Sequence, residues 1–413
     1  MTIVALLPKM ERKKILFIAE AVTLAHVGRA LALARMLDPL RFDVHFACAD
    51  GYDFCFQNGD FPRWRLHSIS SKQFLQALAS GKPVYDEATL KRYVEDDLHL
   101  LNMLRPDLVV GDFRLSLSVS ARLAGVRYVA LINAYWSPYV RQNYAVPNIP
   151  LTRIFPIGIA NALFRIVRPL AFALHAVPLN RVRRKYGLPS LGTDLRRVYT
   201  DADHTLYADI PELFPSHHLP ANHSYLGPVI WSPPVAAPAW WNALPAGKPI
   251  VYVTLGSSGQ GLLLPLVLRA LASVPVTVLA ATAGNIELDT LPPNAHVAEY
   301  LSGEAAARRA SLVICNGGSP TSQQALAAGV PLLGIASNLD QFLNMHGIVA
   351  AGAGVLLRAD RLHEAALRRN VAAMLEDAGI VHAAKNIANA FSRYDPGARL
   401  IALLAELFGK QSP

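Results

Sequence analysis

His26 and Asp112 supply an imidazole and a carboxylate, the pairing that base catalysis on a hydroxyl requires. His26 stands in Ala25-His-Val-Gly-Arg-Ala-Leu, shortly after the first apolar run, and Asp112 closes Leu108-Val-Val-Gly-Asp. An imidazole so placed takes the proton of an acceptor hydroxyl as the oxygen attacks. A carboxylate on its other nitrogen fixes the tautomer and steadies the imidazolium. The plainer alternatives are a polar residue at a helix start for His26 and a loop-start cap for Asp112; nearby Arg29 and Arg114 read as solvated charges. A second constellation begins where the apolar run Leu312 to Cys315 enters Asn316-Gly317-Gly318. Ser319 is expected to be the N-cap of a helix, with Pro320 at its first position and the Thr321 hydroxyl beside it. Glycines let a phosphate approach the backbone, and a helix N-terminus offers unpaired N–H groups at its positive end. An ordinary tight strand-to-helix turn uses the same residues.

These residues need elements that bring them together. Ile15 to Glu20 reads as a strand buried on both faces, His26 to Leu37 carries helical apolar spacing, and Phe42 to Cys48 alternates as a strand does. That is one βαβ unit. Strands at Leu108 to Val110 and Tyr128 to Ile132 continue the alternation. Residues 231–249 hold Pro233, Pro234, Pro238, Pro245, Gly247 and Pro249 and read as a linker. The alternation then restarts with strands at Ile250 to Leu255, Val276 to Ala280, Leu312 to Cys315 and Pro331 to Ile335. The expected fold is α/β, with two facing Rossmann-like domains built on parallel sheets. Ligands of such sheets bind beyond the carboxyl ends of the strands, so the two domains share a cleft. The expected boundaries are 1–232, 233–393 and a final helical segment at 394–413, with Asp395 as N-cap and Pro396 first in that helix.

Composition bounds the partners. The chain has 413 residues, 52% of them hydrophobic, which suffices for sizeable cores. Cys48, Cys55 and Cys315 show neither metal-ligand spacing nor an even disulfide framework, which fits a reducing, cytoplasmic setting. A net charge of +9 suits anionic substrates or a membrane surface, and no nucleic-acid-binding motif accompanies it. No uninterrupted apolar stretch reaches spanning length, and His217, His218 and His223 fall in a proline-punctuated loop. Ile154 to Pro178 is apolar but interrupted by Asn161, Arg165, Arg168 and His175, with Arg181, Arg183, Arg184 and Lys185 beyond. One reading is a buried helical pair walling the cleft. The other, compatible with it, is an amphipathic surface that collects a greasy acceptor or touches anionic lipid, giving peripheral membrane contact through 154–185.

The block from Ser311 to Gly334, with Asp340-Gln341 and Gly352-Ala-Gly354, resembles the donor-binding signature of inverting GT-B glycosyltransferases of the UDP-glycosyltransferase-like family, bacterial natural-product type. The resemblance implies a nucleotide-sugar-dependent hexosyltransferase, with His26 as base and Asp112 as its orienter. It places the donor diphosphate against Asn316, Gly317, Gly318, Ser319 and Thr321, and against the turn Gly256, Ser257, Ser258. It assigns the nucleoside to Tyr300 and Gln324 and the sugar hydroxyls to Asp340 and Gln341. Asn316 stands where the family usually has His, Gln324 where it commonly has Glu, and Ala25 where Gly precedes the base. A UDP-sugar is the family's default donor and a dTDP-linked deoxysugar the alternative. The acceptor is expected to be small and largely apolar, with no metal or cofactor required. The neutral Asn316 and Gln324 motivate a second reading, an inert relative acting as an auxiliary or binding protein.

Overall fold

The computed structural model describes residues 12–256, 261–284, 288 and 290–409. The first sheet has seven parallel strands in the order β3-β2-β1-β4-β5-β6-β7. They are β1 (Lys13–Ala19), β2 (Phe42–Cys48), β3 (Arg63–Arg65), β4 (Leu108–Asp112), β5 (Arg127–Ile132), β6 (His204–Tyr207) and β7 (His223–Tyr225). The second has six parallel strands in the order β10-β9-β8-β11-β12-β13. These are β8 (Ile250–Thr254), β9 (Thr277–Ala281), β10 (Ala295–Ala298), β11 (Leu312–Cys315), β12 (Leu332–Ala336) and β13 (Gly354–Arg358). Continuous apolar strands such as Ile15–Ala19 and Thr277–Ala281 are buried throughout because helices cover both faces.

Strand order reverses between β1 and β4 in the first sheet and between β8 and β11 in the second. Loops leaving the paired strands there turn to opposite faces and open a crevice. The register sets Ala19 beside Asp112 at one crevice and Thr254 beside Cys315 at the other. The expected βαβ grammar therefore does more than build a core; it places both candidate constellations at switch points.

The helix Leu24–Arg35 buries Val27, Ala30, Leu31 and Ala34 on the first sheet. It starts two residues before the expected His26, so the imidazole lies in its first turn. The helix Pro396–Gly409 adds Leu400, Leu403 and Leu404 to the same core, and the Asp395 carboxylate caps it by accepting from the Ala398 N–H at 2.9 Å.

Two departures from the sequence reading concern the remainder. The strands β3, β6, β7, β10 and β13 lie in stretches where no strand is expected; His223, read as a loop residue, opens β7 and pairs with the Tyr207 hydroxyl at 2.7 Å. The expected buried helical pair is instead one helix, Ile157–Lys185, of 29 residues, running through Pro169 and Pro178. It buries Phe164, Phe172, Ala176, Leu179 and Val182, and leaves an outer apolar face uncovered. By length and composition alone it is long and apolar enough to cross a membrane, a feature that the arginines interrupting the stretch conceal in the sequence.

Candidate active site

The two sheets face one another across a cavity of about 610 Å³, bordered by His26, Arg29 and Asp112 from one side and Asn316, Gly318, Ser319, Thr321 and Asp340 from the other. Gly256, Tyr300, Gln324 and Gln341 also line it. Ser257 and Ser258 lie outside the described residues.

The His26 Nδ1 sits 2.8 Å from Asp112 Oδ1. With Asp112 ionised, Nδ1–H donates to the carboxylate and the Nε2 lone pair is left for another partner. The ring lies flat against Phe113, centroids 4.9 Å apart and planes 8° apart. Phe113 reaches that position with φ of +57°, a left-handed conformation that costs a non-glycine residue roughly 1–3 kcal/mol and is held only by its surroundings. Those surroundings are the rings of Phe74, Tyr85 and Tyr199.

Asp112 has a second partner that the sequence reading took for a solvated charge. Arg29, one helical turn after His26, is 9% exposed and grips both carboxylate oxygens, Nε to Oδ2 and Nη2 to Oδ1, each at 2.8 Å. Burial alone would raise the Asp112 pKa; the charge and hydrogen bonds of Arg29, then those of His26, outweigh it and hold the carboxyl below its usual range. Burial likewise opposes the Arg29 charge, and Asp112 more than restores it. Arg114, also read as solvated, is 1% exposed and lies between Glu20 and Asp97 at 3.0 Å from each. Neither arginine advertises this in sequence, because their carboxylate partners lie on other elements.

Arg29 continues the network. Its Nη1 donates to Asn133 Oδ1 at 2.7 Å, and the Ser319 hydroxyl donates to the same oxygen at 3.4 Å from the opposite domain. Asn133 Nδ2 donates to Asp209 at 3.1 Å, and Gln323 Nε2, also from the opposite domain, donates to Asp209 at 3.1 Å. Burial pushes the Asp209 carboxyl up to about 7 despite these donors.

On the second sheet, Gly317 turns the chain with φ of +80°, and Asn344 Nδ2 holds its carbonyl at 2.8 Å. The helix Ser319–Ala327 follows, with Gly318 rather than Ser319 as N-cap. The Ser319 hydroxyl is thereby free of capping duty and reaches Asn133. Asn316 Oδ1 accepts from the Gly318 N–H at 3.0 Å, bracing the turn.

Asp340 opens the helix Leu339–Ala350 and accepts from Trp136 Nε1 at 2.7 Å and the Tyr135 hydroxyl at 3.3 Å across the cleft. Burial raises its pKa against the pull of Trp136, His26 and Arg29. A carboxylate has about four acceptor sites, so two bonds do not exhaust it. Gln341 caps the same helix; its Oε1 accepts from the N–H groups of Ser337 at 2.8 Å and Asn338 at 3.3 Å. Gln324 Nε2 donates to the Trp231 carbonyl and to Ser232 Oγ at 3.2 Å, tying the helix to the interdomain linker. Tyr300 sits 5.9 Å from Phe54 of the opposite domain, ring to ring. Among the described residues, no three His, Cys, Asp or Glu side chains converge as metal ligands.

Comparison with known proteins bears on this geometry. Residues 265–403 match the family described as erythromycin biosynthesis protein CIII-like, C-terminal domain. A PGL/p-HBAD biosynthesis glycosyltransferase of Mycobacterium tuberculosis is 54% identical over 384 residues, 93% of this chain and 90% of the relative. A PGL/p-HBAD biosynthesis rhamnosyltransferase of Mycobacterium bovis is 54% identical over 382 residues, 92% and 85% of the two chains. An inactive PGL/p-HBAD biosynthesis glycosyltransferase of the same species is 53% identical over 264 residues, 64% and 72% of the two chains. Among solved structures, spinosyn forosaminyltransferase SpnP superposes with a TM-score of 0.71 at 19% identity over 97% of this chain and all of its own. Spinosyn rhamnosyltransferase SpnG complexed with thymidine diphosphate gives 0.67 at 20% identity, over 95% and 99%. The chain belongs to the PGL/p-HBAD biosynthesis glycosyltransferases, a family of the GT-B fold expected from its donor-loop residues.

Proposed function

We propose that this chain transfers a hexose, with inversion, from a nucleotide-diphosphate sugar to a hydroxyl of a small, largely apolar acceptor. The observation that carries the reading is the His26–Asp112 contact at one switch point, facing the Asn316–Thr321 turn of the other across a single cavity. In the step proposed, His26 Nε2 takes the acceptor's O–H proton, the oxygen bonds to the anomeric carbon, and the bond to the diphosphate breaks. The leaving diphosphate departs with the electron pair toward the N-terminus of the helix Ser319–Ala327, whose N–H groups and dipole favour negative charge.

The remaining assignments are those that the family resemblance implies for residues at the cavity. Asn316, Gly317, Gly318, Ser319, Thr321 and Gly256 surround the diphosphate, Tyr300 the base, Gln324 the ribose, and Asp340 with Gln341 the sugar. The apolar walls from Phe74, Leu78, Phe113, Trp136, Phe164 and Phe172 suit an acceptor with an apolar body. A mycobacterial relative described as a rhamnosyltransferase, and a structural neighbour complexed with thymidine diphosphate, favour a dTDP-linked deoxyhexose over a UDP-sugar.

A second reading, a binding protein without turnover, is favoured by one observation: the side-chain amides of Gln324 and Gln341 are engaged within the fold. The test is thermal stabilisation against a panel of nucleoside diphosphates, followed by transfer from the matching sugar donor. Stabilisation with turnover supports the transferase. Stabilisation without turnover from any donor supports the binding protein.

A further inference from the structure

The helix Ile157–Lys185 has two apolar faces. Its inner face, including Leu163, Val167 and Ala171, lines the cavity. Its outer face carries Ile159, Ile166, Leu170 and Leu174, exposed at 51%, 76%, 62% and 55%, at spacings that keep them on one stripe. Only 17% of the helix's most apolar 18-residue stretch is buried. An apolar stripe of this length, left uncovered on one continuous helix, marks an interaction surface rather than scattered exposed side chains.

Charge indicates what covers it. Residues 113–193 contain eleven Arg or Lys and no Asp or Glu; of these, Arg114, Arg122 and Arg183 are paired with carboxylates from outside that stretch and do not add to the charge beside the stripe. Exposed Arg153 precedes the stripe in the chain, exposed Arg165 falls within its length, and exposed Arg181, Arg184 and Lys185 follow it on the same helix. Arg181 and Lys185 share a single carboxylate, Glu87, at 3.8 and 2.5 Å, so positive charge is left over. Crossing a membrane is ruled out by packing: Phe164, Phe172, Ala176 and Leu179 are buried against the rest of the domain along the same helix.

We propose that this stripe docks the chain on an anionic phospholipid bilayer, the helix lying in the plane of the headgroups with its cations against them. The wall between bilayer and cavity is then one helix thick, which gives an acceptor with an apolar body a short path from lipid to His26. The docking itself does not depend on the transfer reaction, and its test reads docking alone.

The experiment is flotation of the full chain with vesicles of phosphatidylcholine alone and of phosphatidylcholine with phosphatidylglycerol. The wild type is expected to float with the anionic vesicles, and less so as salt rises. Ile166→Asp with Leu170→Asp is expected to weaken partitioning at least ~10-fold, since two exposed apolar side chains leave the interface. Arg153→Glu with Arg165→Glu is expected to weaken it selectively on anionic vesicles. Should the Asp pair lower the unfolding temperature, Ile166→Ser with Leu170→Ser replaces it. Failure of the wild type to bind anionic vesicles, or binding that neither pair of substitutions alters, overturns the proposal. So does a wild-type dimer that the Asp pair converts to monomer, because the stripe is then a face between two copies.

Discussion

Arg29 holds Asp112 by both oxygens at 2.8 Å, so the carboxylate that orients His26 is also half of a buried ion pair. Such a pair is worth little against an apolar replacement of both partners, but removing one leaves an uncompensated buried charge. Its value here is geometric. Two parallel hydrogen bonds fix the plane of the carboxylate, and that plane fixes where the imidazole points.

Arg29→Met should therefore destabilise the fold by about 3–5 kcal/mol, as read by denaturant unfolding. Arg29→Lys should recover part of the stability but less of the transfer rate, because an ammonium cannot reproduce the two-oxygen grip. Full transfer activity in Arg29→Met would show that the ion pair has no bearing on the base.

Gly317 tests the donor turn. Its φ is +80°, and a Cβ there would stand 2.7 Å from Met345 Cγ. The methionine side chain can yield; the left-handed backbone cannot, and an alanine there costs on the order of 1–3 kcal/mol. Gly317→Ala should thus reduce thermal stabilisation by a nucleoside diphosphate while leaving the first sheet intact. Undiminished stabilisation would place the diphosphate elsewhere.

Asp209 gives a pH signature. Its carboxyl is raised to about 7 in the fold against 3.8 for an exposed one. The folded state therefore binds the proton more tightly than the unfolded chain. Its contribution is fully present below pH 4 and is lost as pH rises through 7, by up to roughly 4 kcal/mol. Asp209→Asn lacks that titration, so its stability relative to wild type should rise between pH 4 and 8. A flat difference in unfolding free energy across that range would contradict the assignment.

Much of this site could be read from sequence because its residues sit at ends of regular elements. His26 and Asp112 follow apolar runs that are strands, and Asn316–Gly318 follows another, so fold class alone brings them to crevices. What escaped has a common cause: it depends on partners distant in the chain. Arg29 and Arg114 look like surface charges until Asp112, Glu20 and Asp97 arrive from other elements. Gln324 and Gln341 match a donor-binding pattern, yet the fold also uses them for the linker and a helix cap. The segment from Ile154 to Pro178, read as a helical pair, forms instead, from Ile157 on, one helix that runs through Pro169 and Pro178, since packing on its inner face holds it together.

The central claim, that His26 is the base, is tested most directly by measuring sugar transfer and nucleotide binding together in His26→Ala. The account predicts nucleotide-induced stabilisation equal to wild type and a transfer rate lower by roughly 100- to 10,000-fold. Transfer at the wild-type rate in that variant would contradict it.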